Sequence, residues 1–143
     1  IINDVITCLD KLPYNFVRIN GWPGFLKRTI VEAYCSDATT KSLASTIFSY
    51  FNKTTECVPD TPGFISARVL AMIINEAWLS LDEGVSTKEE IDTAMKLGTN
   101  YPYGPFEWGN KIELKNVYQL LTALSKTNPR YEPAALLKKE VLQ

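Results

Sequence analysis

The sequence predicts a mostly α-helical domain preceded by a partial α/β unit. Three observations carry this. The first sixty residues alternate short β-rich runs with one segment of helical period. From Thr61 onward every apolar pattern recurs at helical spacing. Turn and cap residues then cut that second stretch into helices of ordinary length. The boundary predicted from this change of texture separates residues 1–60 from residues 61–143.

In the first part, Asn15 to Asn20 alternates and carries aromatic and β-branched residues, as a strand does. Gly21-Trp22-Pro23-Gly24 breaks it. Thr29 to Tyr34 is a second expected strand. From Thr40 to Phe51 the residues Leu43, Ile47, Phe48 and Phe51 give a helical face. Lys53 to Val58 reads as a further short strand. A strand–helix–strand series of this kind belongs to an α/β sheet, and it is too short for a whole doubly wound domain.

In the second part, Pro62 is expected in the first turn of a helix, behind Asp60 and Thr61 as caps. The run from Phe64 to Leu81 is apolar nearly all round, the pattern of a buried central helix. Glu76 within it would be a buried carboxylate in need of a partner. Gly84 suits a left-handed stop. Ser86-Thr87-Lys88-Glu89 reads as a capping box for a helix that presents Ile91, Ala94 and Met95 and ends at Gly98. Tyr101 to Trp108 holds four aromatics, two prolines and a glycine, and reads as a rigid loop. Val117, Leu120, Leu121 and Leu124 define a helix stopped by Asn128-Pro129, and Pro133 opens a last one with Leu136, Leu137 and Val141.

Composition excludes several function classes. A net charge of −1 gives no reason to expect nucleic acid or an anionic membrane as partner. No apolar run has the length of a membrane span. The opening Ile1-Ile2-Asn3-Asp4 is neither a signal peptide nor an initiator Met, which leads us to expect a fragment. Cys8, Cys35 and Cys57 are widely spaced and there is no histidine, so a four-ligand zinc site cannot be assembled. Three reduced, mostly buried thiols in a cytoplasmic protein are the expectation. The missing histidine also removes the commonest general base near neutral pH.

Two segments resemble one family. The first is Asp60-Thr61-Pro62-Gly63-Phe64-Ile65, with Arg68 and then Ile74-Asn75-Glu76-Ala77. The second is Ile91-Asp92-Thr93-Ala94-Met95-Lys96-Leu97-Gly98, running into Tyr101-Pro102-Tyr103-Gly104-Pro105-Phe106-Glu107. Together, with Glu83-Gly84-Val85-Ser86 between them, they resemble the C-terminal domain of 3-hydroxyacyl-CoA dehydrogenases over about residues 45 to 125. The resemblance implies an oxidoreductase of fatty acid metabolism that uses NAD and acyl-CoA and forms homodimers through its helical domain. It makes residues 15–58 the tail of a Rossmann sheet. It places Gly63, Phe64, Ser66, Tyr103, Pro105 and Phe106 along the substrate cleft.

The same comparison exposes departures. No G-x-G-x-x-G turn for a dinucleotide occurs in the chain. Glu32 matches the glutamate that orients the family's catalytic histidine. The histidine's place falls at Ile19 or Asn20, neither of which is a base near pH 7. Ala67 stands where the family has a substrate-holding asparagine, with Ser66 and Arg68 beside it. Asn110 and Glu113 stand for a family aspartate and glycine. Two functions follow: part of an L-3-hydroxyacyl-CoA dehydrogenase that supplies acyl-CoA cleft and dimer contacts, or a catalytically degenerate dimerisation or binding module of the same fold. The expected chain is inactive alone.

Overall fold

The structure, a computed structural model, describes residues 1–8 and 16–143. Asn15, the start of the first expected strand, lies outside them. The chain divides into two compact units, Ile1–Arg68 and Val69–Gln143.

The first unit is built on a four-stranded sheet of order β1 (Ile2–Asn3), β2 (Arg18–Ile19), β3 (Ile30–Tyr34) and β4 (Thr54–Cys57). β1 runs parallel to β2, β2 antiparallel to β3, and β3 parallel to β4. The parallel β3–β4 pair needs a crossover, which helix α1 (Ala38–Ser49) supplies. The first expected strand shrinks to two residues, and β1 is an addition. Alternation on β3 sends Val31 and Ala33 into a core with Val17, Ile19, Ala44 and Phe48, and leaves Glu32 on the opposite face. The buried side of α1 is Thr40, Ala44 and Phe48, while Leu43 and Phe51 are exposed. The expected apolar face is thus corrected by one residue around the helix.

Local chemistry fixes the start of α1. Asp37 Oδ1 accepts from Thr40 N at 2.8 Å, and Thr40 Oγ1 accepts from Asp37 N at 3.1 Å. The Thr40 backbone N–H and the Ser36 hydroxyl hold the Asp37 carboxyl below its ordinary 3.8, against a smaller opposing effect of desolvation.

The helical unit takes up most of α2 (Ser66–Asp82), then α3 (Lys88–Thr99), α4 (Pro105–Ile112), α5 (Leu114–Ser125) and α6 (Ala135–Leu142). α3 packs on α4, α4 on α5 and α5 on α6. Val117, Leu120, Leu121 and Leu124 are buried as their spacing predicts, and so is Leu137. Asn75 ties the chain ahead of α6 down: its Oδ1 accepts from Ala134 N at 2.8 Å and its Nδ2 donates to the Glu132 carbonyl at 3.0 Å.

Several expectations are corrected here. The helix expected at Pro62 begins four residues later, because Gly63 and Phe64 have φ of 80° and 49° and cannot continue a right-handed turn. α2 is not buried all round: Val69 and Leu79 are exposed, and so is Glu76, which needs no buried partner. Gly84 does take the left-handed stop, at φ 70°. The capping box of α3 sits one residue later than expected, between Thr87 and Glu90. α3 runs through Gly98 to Thr99, with Asn100 left-handed after it, and Ala94 on its expected apolar face is exposed. The expected loop at 101–108 contains the start of α4, with Pro105 in the first turn. The three cysteines are half-buried rather than mostly buried.

Candidate functional site

In the first unit, β2, β3 and the start of α2 bring Asn20, Glu32 and Ser66 together. Asn20 Nδ2 donates to Glu32 Oε2 at 3.0 Å. Ser66 donates to Glu32 Oε1 twice, from its backbone N at 3.0 Å and from Oγ at 2.6 Å. The carboxylate of Glu32 therefore serves as the cap of α2, reaching across 34 residues of sequence. The other end of the Asn20 amide is also engaged, since its Oδ1 accepts from Trp22 N at 3.4 Å. Arg28 reaches the open side, with Nη1 3.5 Å from Ser66 Oγ and its guanidinium over the Phe25 ring. Of the two positions open for the histidine, only Asn20 contacts Glu32. An amide neither takes nor gives a proton near neutrality, so residue 20 cannot shuttle protons in this cluster.

Next to it lies a group that sequence reasoning passed over. Arg18 is fully buried, and its guanidinium pairs with Asp60 Oδ1 at 2.8 Å. It also donates to the carbonyls of Asp4 at 3.1 Å, Val5 at 3.4 Å and Thr61 at 2.8 Å, and it lies 4.0 Å over the Phe64 ring. Asp60 is therefore an ion-pair partner and not a helix cap. The left-handed Gly63 donates its N–H to the Val5 carbonyl at 2.7 Å. Phe64 is buried beneath Arg18, so its ring serves packing in this unit. Arg68 Nη2 donates to the Pro62 carbonyl at 3.2 Å.

In the helical unit, Asp92 explains the second motif. Its buried carboxylate accepts from Phe106 N at 2.8 Å and Glu107 N at 3.1 Å, capping α4 from a neighbouring helix. A Cβ at residue 104 would stand 2.3 Å from the Asp92 carboxyl carbon, so only glycine leaves room. Glu107 completes the cap by accepting from Gly104 N at 3.0 Å, and it meets Lys96 Nζ at 2.6 Å. The Lys96 hydrogen bond, then the Gly104 N–H, hold its carboxyl below the ordinary 4.5. Phe106 is buried edge-on to Trp78 with centroids 5.3 Å apart, and Pro105 is buried with it. Tyr103 is half-buried, edge-on to Trp108, with Lys111 Nζ 4.3 Å above its ring. Beside these, an apolar groove of about 190 Å³ opens between α2 and α3, lined by Ile73, Glu76, Ala77, Ser80, Ile91, Met95 and Pro105.

Residues 63–143 match the family model for the C-terminal domain of 3-hydroxyacyl-CoA dehydrogenase. The chain belongs to the 3-hydroxyacyl-CoA dehydrogenase family. It is 44% identical over 92 residues to the 3-hydroxyadipyl-CoA dehydrogenase of Escherichia coli (strain K12), covering 63% of this chain and 19% of that protein. It is 40% identical over 98 residues to the 3-hydroxybutyryl-CoA dehydrogenase of Clostridioides difficile, covering 66% of this chain and 35% of that one. Among solved structures, (S)-3-hydroxybutyryl-CoA dehydrogenase from Ralstonia eutropha superposes with a TM-score of 0.87 at 28% identity, over 98% of this chain and 53% of that chain. The chain therefore spans well under half the length of these curated relatives and about half of that solved one.

Among the described residues of this 3-hydroxyacyl-CoA dehydrogenase family member, the α1 and α2 N-termini offer no free donors for a dinucleotide. A pyrophosphate needs free N–H groups at a helix N-terminus. The two helix N-termini of the first unit are already filled by carboxylates, Asp37 on α1 and Glu32 on α2. Each would repel a phosphate, and no Gly-rich turn replaces them. The described residues at these two N-termini do not fit the pyrophosphate of NAD. Among the described residues no cluster of His, Cys, Asp or Glu could hold a metal ion, and no helix is long and apolar enough to cross a membrane.

Proposed function

We propose that this chain is the acyl-CoA-facing part of an L-3-hydroxyacyl-CoA dehydrogenase, contributing substrate contacts and a subunit contact rather than proton transfer. The observation that carries this is the Asn20–Glu32–Ser66 cluster. Its hydrogen bonds are intact in a family member, but the position facing Glu32 holds an amide instead of an imidazole. Ser66 and Arg28 offer the polar atoms nearest the cluster's open side, suited to a thioester carbonyl or an anionic group of coenzyme A. In the helical unit, Tyr103 is half-buried, edge-on to Trp108, while Pro105 and Phe106 of the same segment are buried. When bound elsewhere in the enzyme, NAD would accept the hydride; the residues of this chain would bind and orient the acyl-CoA.

Calorimetric titration of the chain with acetoacetyl-CoA, with free coenzyme A as control, tests this. Saturable binding that prefers the acyl form is the expected result. No heat at millimolar ligand would overturn it.

The second reading is a degenerate module retained for association. The apolar groove between α2 and α3, with Leu97 exposed on the same helix as Ile91 and Met95, favours it as a homodimer contact. Light scattering at high protein concentration that returns a monomer would remove that reading.

A further inference from the structure

We propose that Cys35 and Cys57 form a reversible disulfide, making the edge of the sheet a redox-modification site. On β3 and β4 the residues Ala33 and Cys57 are register partners, and Cys35 follows two residues after Ala33, on the same side of the sheet. Cys35 sits just past the end of β3, where the strand no longer fixes its backbone. Its side chain turns onto the Ala33 side of the core, and its sulfur lies 2.9 Å from that of Cys57. Both thiols are half-buried, so a small oxidant reaches them while bulk solvent does not bathe them. Two sulfurs on one face of one sheet, with no metal-ligand partner beside them among the described residues, are arranged for a bond to each other.

The co-reactant is a low-molecular-weight disulfide such as oxidised glutathione. One protein thiolate attacks it, breaking its S–S bond, forming a mixed disulfide and releasing one glutathione thiolate. The second protein thiolate then attacks the mixed disulfide and releases the second. Two protein thiols are oxidised, one glutathione disulfide is reduced to two thiols, and the two protons pass to the leaving thiolates. Burial, reinforced by the neighbouring Cys57, pushes the Cys35 thiol up to about 12, so oxidation accelerates as pH rises. The bond would close a loop between positions 22 apart that contains α1 and β4, and it would pin β3 beside Glu32.

The test uses the full chain, reduced and then incubated with oxidised glutathione at mildly alkaline pH. The expected product is a monomer lighter by two hydrogens, with Cys8 still open to alkylation and the other two protected. Non-reducing peptide mapping should join the Cys35 and Cys57 peptides. Cys8→Ser should give the same product and Cys57→Ser should not. The thermal midpoint should rise by roughly 10 °C on oxidation and fall back with dithiothreitol. Stable glutathione adducts, cross-linked dimers on a non-reducing gel, a bond to Cys8, or an unchanged mass would each overturn the proposal. Mapping of the unsubstituted chain decides the matter should either variant fail to fold.

Discussion

Arg18 shows how one side chain can substitute for missing strand length. A two-residue strand offers few backbone hydrogen bonds, yet the guanidinium beside it satisfies three carbonyls and a carboxylate at once. Removing only Asp60 would leave that cation buried without its anion. Asp60→Ala should therefore cost about 3–5 kcal/mol in urea unfolding, and a loss below about 1 kcal/mol would contradict the assignment. Glu32 invites a different test, because it is an α2 cap in this chain and a catalytic orienter by resemblance. Glu32→Gln should cost about 1–2 kcal/mol through the weakened cap. Unchanged stability with lost acetoacetyl-CoA binding would instead make Glu32 a ligand-facing group.

At the scale of elements, the capping of α4 can be taken apart by a double-mutant cycle. Gly104→Ala should destabilise by about 1–3 kcal/mol because its Cβ displaces the Asp92 carboxylate. Asp92→Ala should cost about 1–2 kcal/mol as a lost cap. The pair should be clearly less than additive, since without the carboxylate the new methyl has room. Strict additivity would mean that the close approach is irrelevant. The same element marks where sequence reading stops. α5 was legible because Val117, Leu120, Leu121 and Leu124 repeat the helical period without interruption. α4 was hidden because its cap comes from Asp92, on another helix, and its opening is dense in proline, glycine and aromatics. The start of α2 was misplaced for a related reason: Asp60 and Thr61 look like local caps, while the true cap, Glu32, lies far back in sequence. Partnerships between distant residues leave no periodic trace. The cluster of Asn20, Glu32 and Ser66 was legible only through the family motif, and the role of Arg18 not at all.

For the whole molecule, acid response follows from three carboxylates held below their ordinary values. The Thr40 N–H lowers Asp37, the Ser86 hydroxyl and then the Thr87 N–H lower Glu90, and Lys96 lowers Glu107. A folded value below the unfolded one contributes stability that is present above the unfolded value and lost as pH falls through the folded one. Urea midpoints should hold steady near neutrality and begin to fall as pH drops past 4.5 and then 3.8, the ordinary values of these groups. Asp37 and Glu90 are exposed and Glu107 is half-buried, so the fall should be shallow and weaker in high salt, and a midpoint that rises on acidification would contradict it. The node at Arg18 is a separate matter, because its guanidinium is fully buried. Its bonds to Asp4, Val5, Asp60 and Thr61 all come from one rigid guanidinium, which couples their opening. The amides of Ile19 and Gly63 beside it should then exchange deuterium together, at one common rate set by a single opening of the first unit.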